Sequence, residues 1–353
     1  MRLLTINPGS TSTKIAVYDD TNLVYAESIK HSVEQLKSFE RVSDQFEFRR
    51  DLVIDALRKN GIPMDFNAVV GRGGILRPIE GGVYRVNSTM LKEMECPVRN
   101  HASNLGCRIA YDISQRIPGC LPLIADPVVV DEMLDVARIS GSPLMPREST
   151  WHALNQRSIA RRFSSEHGLR YEELDLIIAH LGGGISIGAH HKGRYIDVNN
   201  AFDGEGPFSP ERAGSLPPGQ LIDLCYSNKY THEQLRKRIS GNAGLAAHLG
   251  TTDVAAIVES IKNGDKKAEL VLNGMIYAIS KWIGSLAVAL HGHVDAIILT
   301  GGVAYSDYVV SGITDYVSFL GQVYVYPGEN EMLALATNGI GALNGTIPLK
   351  EYI

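Results

Sequence analysis

The chain has 353 residues, 44% of them hydrophobic and 21% charged, with a net charge of −5 at pH 7. These are ordinary values for a globular protein, so extended disorder is not expected, and the lack of a basic excess argues against a nucleic-acid partner. At roughly 150 residues per domain the length predicts two domains, and the 35 glycines, being clustered, predict tight turns rather than a flexible linker.

From the N-terminus, "RLLTIN" reads as a strand, which leaves no room for a signal peptide. The turn cluster "PGSTST" and a second strand, "KIAVYDD", complete a β-hairpin. Asn7 closes the first strand, and Ser10, Ser12 and Lys14 surround the turn with hydroxyls and a positive charge suited to an anion. Neither GxxxxGK[ST] nor GxGxxG occurs, so a Walker A loop is excluded and a Rossmann dinucleotide site is disfavoured. Arg72 follows an apolar run in "VVGRGG", where a guanidinium can reach a carboxylate or phosphate bidentately.

Cysteines at 96, 107, 120 and 225 show no CxxC spacing, which predicts neither a zinc knuckle nor a disulfide framework. A helix is expected over 103–116, capped by Ser103. Asp126 ends the apolar strand "LPLIAD", and a second helix is expected over 151–163. Residues 175–200 read as strand, glycine turn, strand, turn, strand, with His180 just before Gly182, Gly183 and Gly184. Three glycines between apolar strands suggest that something needs the space beside the backbone.

"DGEGPFSPERAGSLPPG" (203–219) is too rich in Pro and Gly for regular structure, and with Arg212 at its centre it is a candidate functional loop. Residues 253–263 begin at the cap Asp253 and stop at Gly264. Residues 266–290 carry a broad apolar stripe that predicts a buried helix. The most apolar stretch, around 282–290, falls short of the 18 residues a membrane span needs, so no membrane partner is expected and the chain reads as cytoplasmic. A last strand ends in the glycine turn Gly301–Gly302, and Glu331 follows in "PGENEM". Strand-end acids such as Asp126 and Glu331 suit a hard cation that shares its ligands with phosphate. Each feature has a plainer reading on its own: a Ser/Thr-rich turn, a satisfied core histidine, solvated carboxylates, surface arginines. The repeated hairpin with a glycine turn predicts an α/β fold of two similar halves.

Taken together and in order, "LLTINPGSTSTK", "HLGGGIS", "DGEGPFSPERAG" and "LTGGV" resemble the acetate kinase family. "VVGRGG", "RNHASNLG", "DPVVVDEM", "HALNQ" and "DVNNAFDGEGPFSPERAG" are similar to its butyrate kinase branch, and the likeness runs from Met1 to about Thr337. The resemblance implies the actin/hexokinase/Hsp70-like (ribonuclease H-like) ATPase fold, a duplicated βββαβαβα core with an interdomain cleft. It implies a first domain over 1–125 completed by 331–353, and a second over 126–330. It implies reversible ATP-dependent phosphorylation of butyrate, or of a related short-chain or branched acid, to the acyl phosphate, with ATP/ADP and Mg²⁺ as cofactors and a homo-oligomeric state.

By the same resemblance Asn7, Ser10, Ser12 and Lys14 form one phosphate-loop region, and His180, Gly182, Gly183 and Gly184 the other. Gly301, Gly302 and Asp253 lie on the adenosine side. Arg212 stabilises the transferring phosphoryl group, Arg72 holds the carboxylate, and Asp126, counted with these two as catalytic, lies with Glu331 and Asn7 near Mg²⁺. Two positions where acetate kinases carry a histidine are Arg99 and Glu148 here, with His101 and His152 close by, which favours an acid other than acetate. Two rivals remain at this level. A sugar or polyol kinase of the same fold would need a catalytic aspartate, and none stands out. An actin- or Hsp70-like switch would need a further peptide-binding or polymerisation region, which is not expected in a chain ending at Ile353.

Overall fold

A computed structural model describes residues 1–95, 97 and 101–353; Cys96 and Arg99, named above, lie outside them. The chain divides into two compact units, Met1–Asp131 with Asn330–Ile353, and Glu132–Glu329.

The strands are β1 (Arg2–Pro8), β2 (Ser12–Asp19), β3 (Asn22–Lys30), β4 (Ala68–Arg72), β5 (Val83–Arg85), β6 (Leu121–Ala125), β7 (Asp175–Leu181), β8 (Ile185–His191), β9 (Arg194–Val198), β10 (Ala296–Gly301), β11 (Val323–Pro327) and β12 (Leu349–Glu351). The first unit holds a seven-stranded sheet ordered β12-β5-β6-β4-β1-β2-β3, and the second a five-stranded sheet ordered β11-β10-β7-β8-β9. In each sheet an antiparallel meander, β1-β2-β3 or β7-β8-β9, is extended from its first strand by parallel strands, β4 and β6 or β10 and β11. The two halves expected from the repeated hairpins therefore share one topology; β5 and β12 are additions at the edge of the first sheet.

The buried strands are near-continuous apolar runs because helices cover them. In the first unit the helices Phe46–Lys59 and Leu105–Ser114 pack Val53, Leu57, Ile109 and Ile113 against Leu4, Ile6 and Val69. The helix Glu331–Leu343 covers β1 and β4, and a Cβ on Gly339 would collide with Leu3 and Val70. In the second unit the helix Lys266–Ala289 buries Leu272, Met275, Ile279 and Ile283 against the sheet. By length and composition alone this helix could cross a membrane. The expectation based on 282–290 had counted only an uninterrupted apolar stretch; the buried stripe accounts for the composition of the whole helix by core packing.

Local signals in the chain explain several helix ends. Asp253 caps the helix Val254–Lys262 by accepting the Ala256 amide at 3.1 Å, and Gly264 follows with φ +94°. The expected cap at Ser103 is different. Ala102–Asn104 form a 3₁₀ turn, His101 Nδ1 accepts the Ser103 amide at 3.2 Å, and the α-helix starts only at Leu105. The irregular loop also ends sooner than 219, since Pro218 opens the helix Pro218–Cys225, as proline does well at a first helical position.

Candidate functional site

In the first unit, the end of β1, the β1–β2 turn, the end of β4 and the start of Glu331–Leu343 converge on a cavity of ≈ 340 Å³. Asn7, Ser10, Ser12, Lys14, Arg72 and Glu331 all line it, together with His101 and Ser103. Asn7 Nδ2 donates to Glu331 Oε2 at 2.6 Å, and Arg72 Nη1 pairs with Glu331 Oε1. One carboxylate is thus held from both sides. Arg72 is aimed here by a close approach of β4 to the helix Leu105–Ser114: a Cβ on Gly71 would strike the Gly106 carbonyl, and one on Gly106 the Arg72 carbonyl. The glycines of "VVGRGG" and "SNLG" are thus partners in packing.

Asp126 is not among the residues lining this cavity. It follows β6 at φ +37°, is 1% exposed, and accepts the Gly82 amide on Oδ1 at 2.7 Å. A non-glycine residue in that region is strained and is kept there only by surrounding structure.

The second unit carries its own set of expected residues. His180 on β7 is 1% exposed; its Nδ1 lies 2.8 Å from Asn155 Oδ1 and its ring stacks on His152 at 3.8 Å. Its Nε2 is 3.0 Å from Glu329 Oε1 yet finds no partner in hydrogen-bond geometry. The β7–β8 turn explains the triple glycine through other side chains. A Cβ on Gly182 would press on His180 Nε2 at 3.0 Å, one on Gly183 on the Glu211 carboxylate at 3.2 Å, and one on Gly184 would overlap the Arg212 guanidinium. The glycines make room for three side chains.

Arg212 donates to the Ala201 carbonyl and lies over the Phe202 ring at 5.5 Å, and burial lowers its pKa from the usual arginine value. Its loop is irregular but closely tied. Ser209 Oγ donates to the Gly183 carbonyl at 2.6 Å and accepts the Arg212 amide at 3.0 Å, while the Ala213 amide donates to Ile239 O at 2.9 Å. Buried Asn199 donates to Ile185 O and Glu205 O, each at 3.1 Å, so the loop is pinned to β8.

Gly302 lines a larger cavity of ≈ 960 Å³ with Val254, Ile276, Val303, Tyr305 and Ser306. Gly301, at φ +89°, packs against the Leu181 backbone, where a Cβ would not fit. Asp253 is exposed and caps the helix that forms one wall of this cavity, but is not itself among its lining residues. Glu148 is exposed.

The donor set fits the groups that the resemblance implies. Among the described residues no cluster of three or more His, Cys, Asp or Glu could hold a metal ion. Mg²⁺ held by one or two protein oxygens, water and substrate phosphates needs no such cluster, and Glu331 with Asn7 provides that minimum. The orphaned Nε2 of His180, buried beside a glycine turn, suits a phosphate oxygen. Sequence reasoning missed three contributors. His152 sits in the quoted "HALNQ" and could have been assigned. Asn199 lies in the quoted "DVNNAFDGEGPFSPERAG" and could equally have been assigned. Arg49 was given no role, although its helical phase with Val53 and Leu57 turns it inward.

The Acetokinase family profile matches residues 145–339. A protein of Bacteroides thetaiotaomicron named "Probable butyrate kinase" is 60% identical over 352 residues, covering 100% of both chains. "Butyrate kinase 1" of Clostridium acetobutylicum is 49% identical, covering 99% of each. The crystal structure of Porphyromonas gingivalis acetate kinase superposes with a TM-score of 0.77 over 97% of this chain and 99% of that one, at 20% identity.

Proposed function

Since this chain belongs to the acetokinase family, we propose that it transfers the γ-phosphoryl group of ATP to butyrate, reversibly, giving butyryl phosphate and ADP. One observation carries the choice of acceptor. Among the described residues, the one carboxylate lining the first unit's cavity, Glu331, is already engaged by Arg72 and Asn7, and the other charged lining residues, Arg72 and Lys14, are cations. A sugar kinase needs a carboxylate that can take a hydroxyl proton; a carboxylic acid, with a pKa near 4, arrives ionised and needs none.

The work left to the protein is positioning and charge neutralisation. In this reading Arg72 exchanges its pairing with Glu331 for the acid's carboxylate. Ser10, Ser12 and Lys14 bind phosphoryl oxygens, as do His180 through Nε2 and the turn of Gly182, Gly183 and Gly184. Arg212 meets the charge that spreads over the equatorial oxygens of the moving group. Gly301 and Gly302 border the adenosine, whose ring has room in the ≈ 960 Å³ cavity, and Asp253 supports that wall. Glu331 and Asn7 would hold Mg²⁺, with Asp126 orienting the strand end nearby; when bound, the ion would neutralise phosphate charge. The butyrate kinase names of relatives at 49% and 60% identity support an acid longer than acetate. The same kinship supports a cytoplasmic homo-oligomer that needs neither membrane nor nucleic acid.

The test is hydroxylamine trapping of acyl phosphate across a series of short acids with ATP and Mg²⁺. Butyrate or a branched four- to five-carbon acid is expected to exceed acetate in kcat/KM. Since each methylene is worth about 1–3 kcal/mol in an apolar pocket, the margin should be tenfold or more. Equal or better use of acetate would remove the butyrate assignment and leave a general short-chain carboxylate kinase.

A further inference from the structure

Beneath the β1–β2 turn lies a charge that the reaction above does not use. Arg49 is 1% exposed, on the inward face of the helix Phe46–Lys59. Its Nη1 donates to Gly9 O at 2.7 Å, Ser12 O at 3.1 Å and Thr13 Oγ1 at 3.2 Å, and its Nη2 to Ser10 O at 3.2 Å. Nε and Nη2 also reach Gln45 Oε1, at 3.0 and 2.8 Å. None of these partners is a carboxylate, although a buried charge ordinarily has a counter-charge. The remaining carbonyl of the turn, Thr11 O, accepts the His31 amide at 2.9 Å. All four carbonyls of residues 9–12 are thus taken by donors of the protein.

That arrangement has a consequence for ligands. Carbonyl oxygens facing an anion repel it; carbonyls drawn onto a buried cation do not. With its acceptors occupied, the turn presents Ser10, Ser12 and Lys14 to the cavity. The unpaired guanidinium adds positive potential where water cannot screen it. Burial lowers the Arg49 pKa only to about 10, so the charge persists at neutral pH. Burial, with the same Arg49 charge, holds His31 down to about pKa 4, so His31 stays neutral and does not duplicate it.

We propose that Arg49 is a positioning residue: by binding the turn's carbonyls from behind, it commits the opposite face of the turn to a phosphoryl oxyanion and supplies the missing counter-charge. The inference rests on the phosphotransfer reading for the identity of that oxyanion, the phosphoryl group of ATP or of the acyl phosphate. An arginine serving only as packing would also stabilise the fold, but it would not couple to phosphate.

Arg49→Lys and Arg49→Met test this in the full-length chain. Lysine keeps the charge and loses the planar fork that spans several carbonyls; methionine keeps much of the stem and loses both. The readouts are kcat and KM for butyrate and ATP, and the rise in melting temperature that inorganic phosphate produces. Arg49→Lys should lower kcat at least tenfold with KM for butyrate within about threefold, and Arg49→Met about a hundredfold or more. The phosphate-induced rise should shrink in the lysine variant and vanish in the methionine variant. Arg49→Lys with kcat within threefold of the parent, or an undiminished response to phosphate, would overturn the proposal. Should Arg49→Met fail to fold, the lysine variant decides. Should the parent form no acyl phosphate from any short acid, the phosphotransfer reading fails and the phosphate response alone decides for Arg49; a parent with neither activity nor phosphate response would overturn both.

Discussion

Arg212 shows how little a charged residue's environment can be read from its neighbours in the chain. Preceded by Pro210 and Glu211, it has the look of a surface arginine. In the fold its guanidinium occupies the space that Gly184 leaves open, and Ser209 and Ala213 anchor the backbone on either side. A guanidinium held near a glycine turn can act on a phosphoryl group in flight at little cost in ordering, because its fork is already placed. Arg212→Ala is therefore expected to lower kcat by about 10³-fold or more, the range of transition-state arginines, or at least 4 kcal/mol. The ATP dissociation constant should change by less than about threefold. Arg212→Lys should recover little, since a point charge lacks the fork. Steady-state kinetics with ATP titration checks both, and a loss under tenfold in the alanine variant would make Arg212 a structural residue.

Among the elements, the helix Val254–Lys262 joins stability to binding. It forms one wall of the ≈ 960 Å³ cavity through Val254, Ala255, Val258 and Lys262, and its first turn depends on the Asp253 cap. Removing a side-chain cap costs typically about 1 kcal/mol. Asp253→Ala should lower stability by about that amount in urea titration. It should raise KM for ATP by less than tenfold, because a frayed first turn loosens the wall without removing a ligand contact. A larger rise with unchanged stability would mean that Asp253 touches the adenosine directly. Asp253→Asn, which retains a capping oxygen, should sit near the parent in both measurements.

At the scale of the whole molecule, acid is expected to weaken the fold before carboxylates protonate. His190 is fully buried, its Nδ1 2.7 Å from Tyr171 Oη and its Nε2 3.0 Å from Gln156 Oε1, and burial, with the Arg157 charge, lowers its pKa to about 3. His31 is shifted the same way by burial and Arg49. The folded state keeps these rings neutral while the unfolded chain protonates them near 6.5. The stability from excluding the proton is therefore complete above pH 6.5 and is lost progressively as pH falls toward 3. Over that window His190 alone should make the unfolding free energy fall by about 1.4 kcal/mol per pH unit. Urea midpoints at a series of pH values measure the slope, and His190→Gln should reduce it by about one proton; an unchanged slope would mean that His190 is protonated in the fold.

Period and punctuation in the chain were enough to reveal the β1–β2 hairpin, the meander over 175–200, the capped helix after Asp253 and the buried helix before β10. These depend on contacts within a few residues, where side-chain pattern and turn chemistry act directly. The glycine clusters were equally visible, but their purpose was not. Gly71 and Gly106 serve each other across 35 positions, and Gly184 serves Arg212 across 28. Helical phase turns Arg49 inward, but nothing local says what it meets there, and nothing local distinguishes Asp126 from a solvated acid. Whether a charged group becomes a buried cation under a turn, a paired carboxylate or a surface residue depends on which carbonyls and charges meet it after folding. Those partners are remote in sequence, so the type of chemistry was written in the residues, and its placement was decided by the tertiary structure.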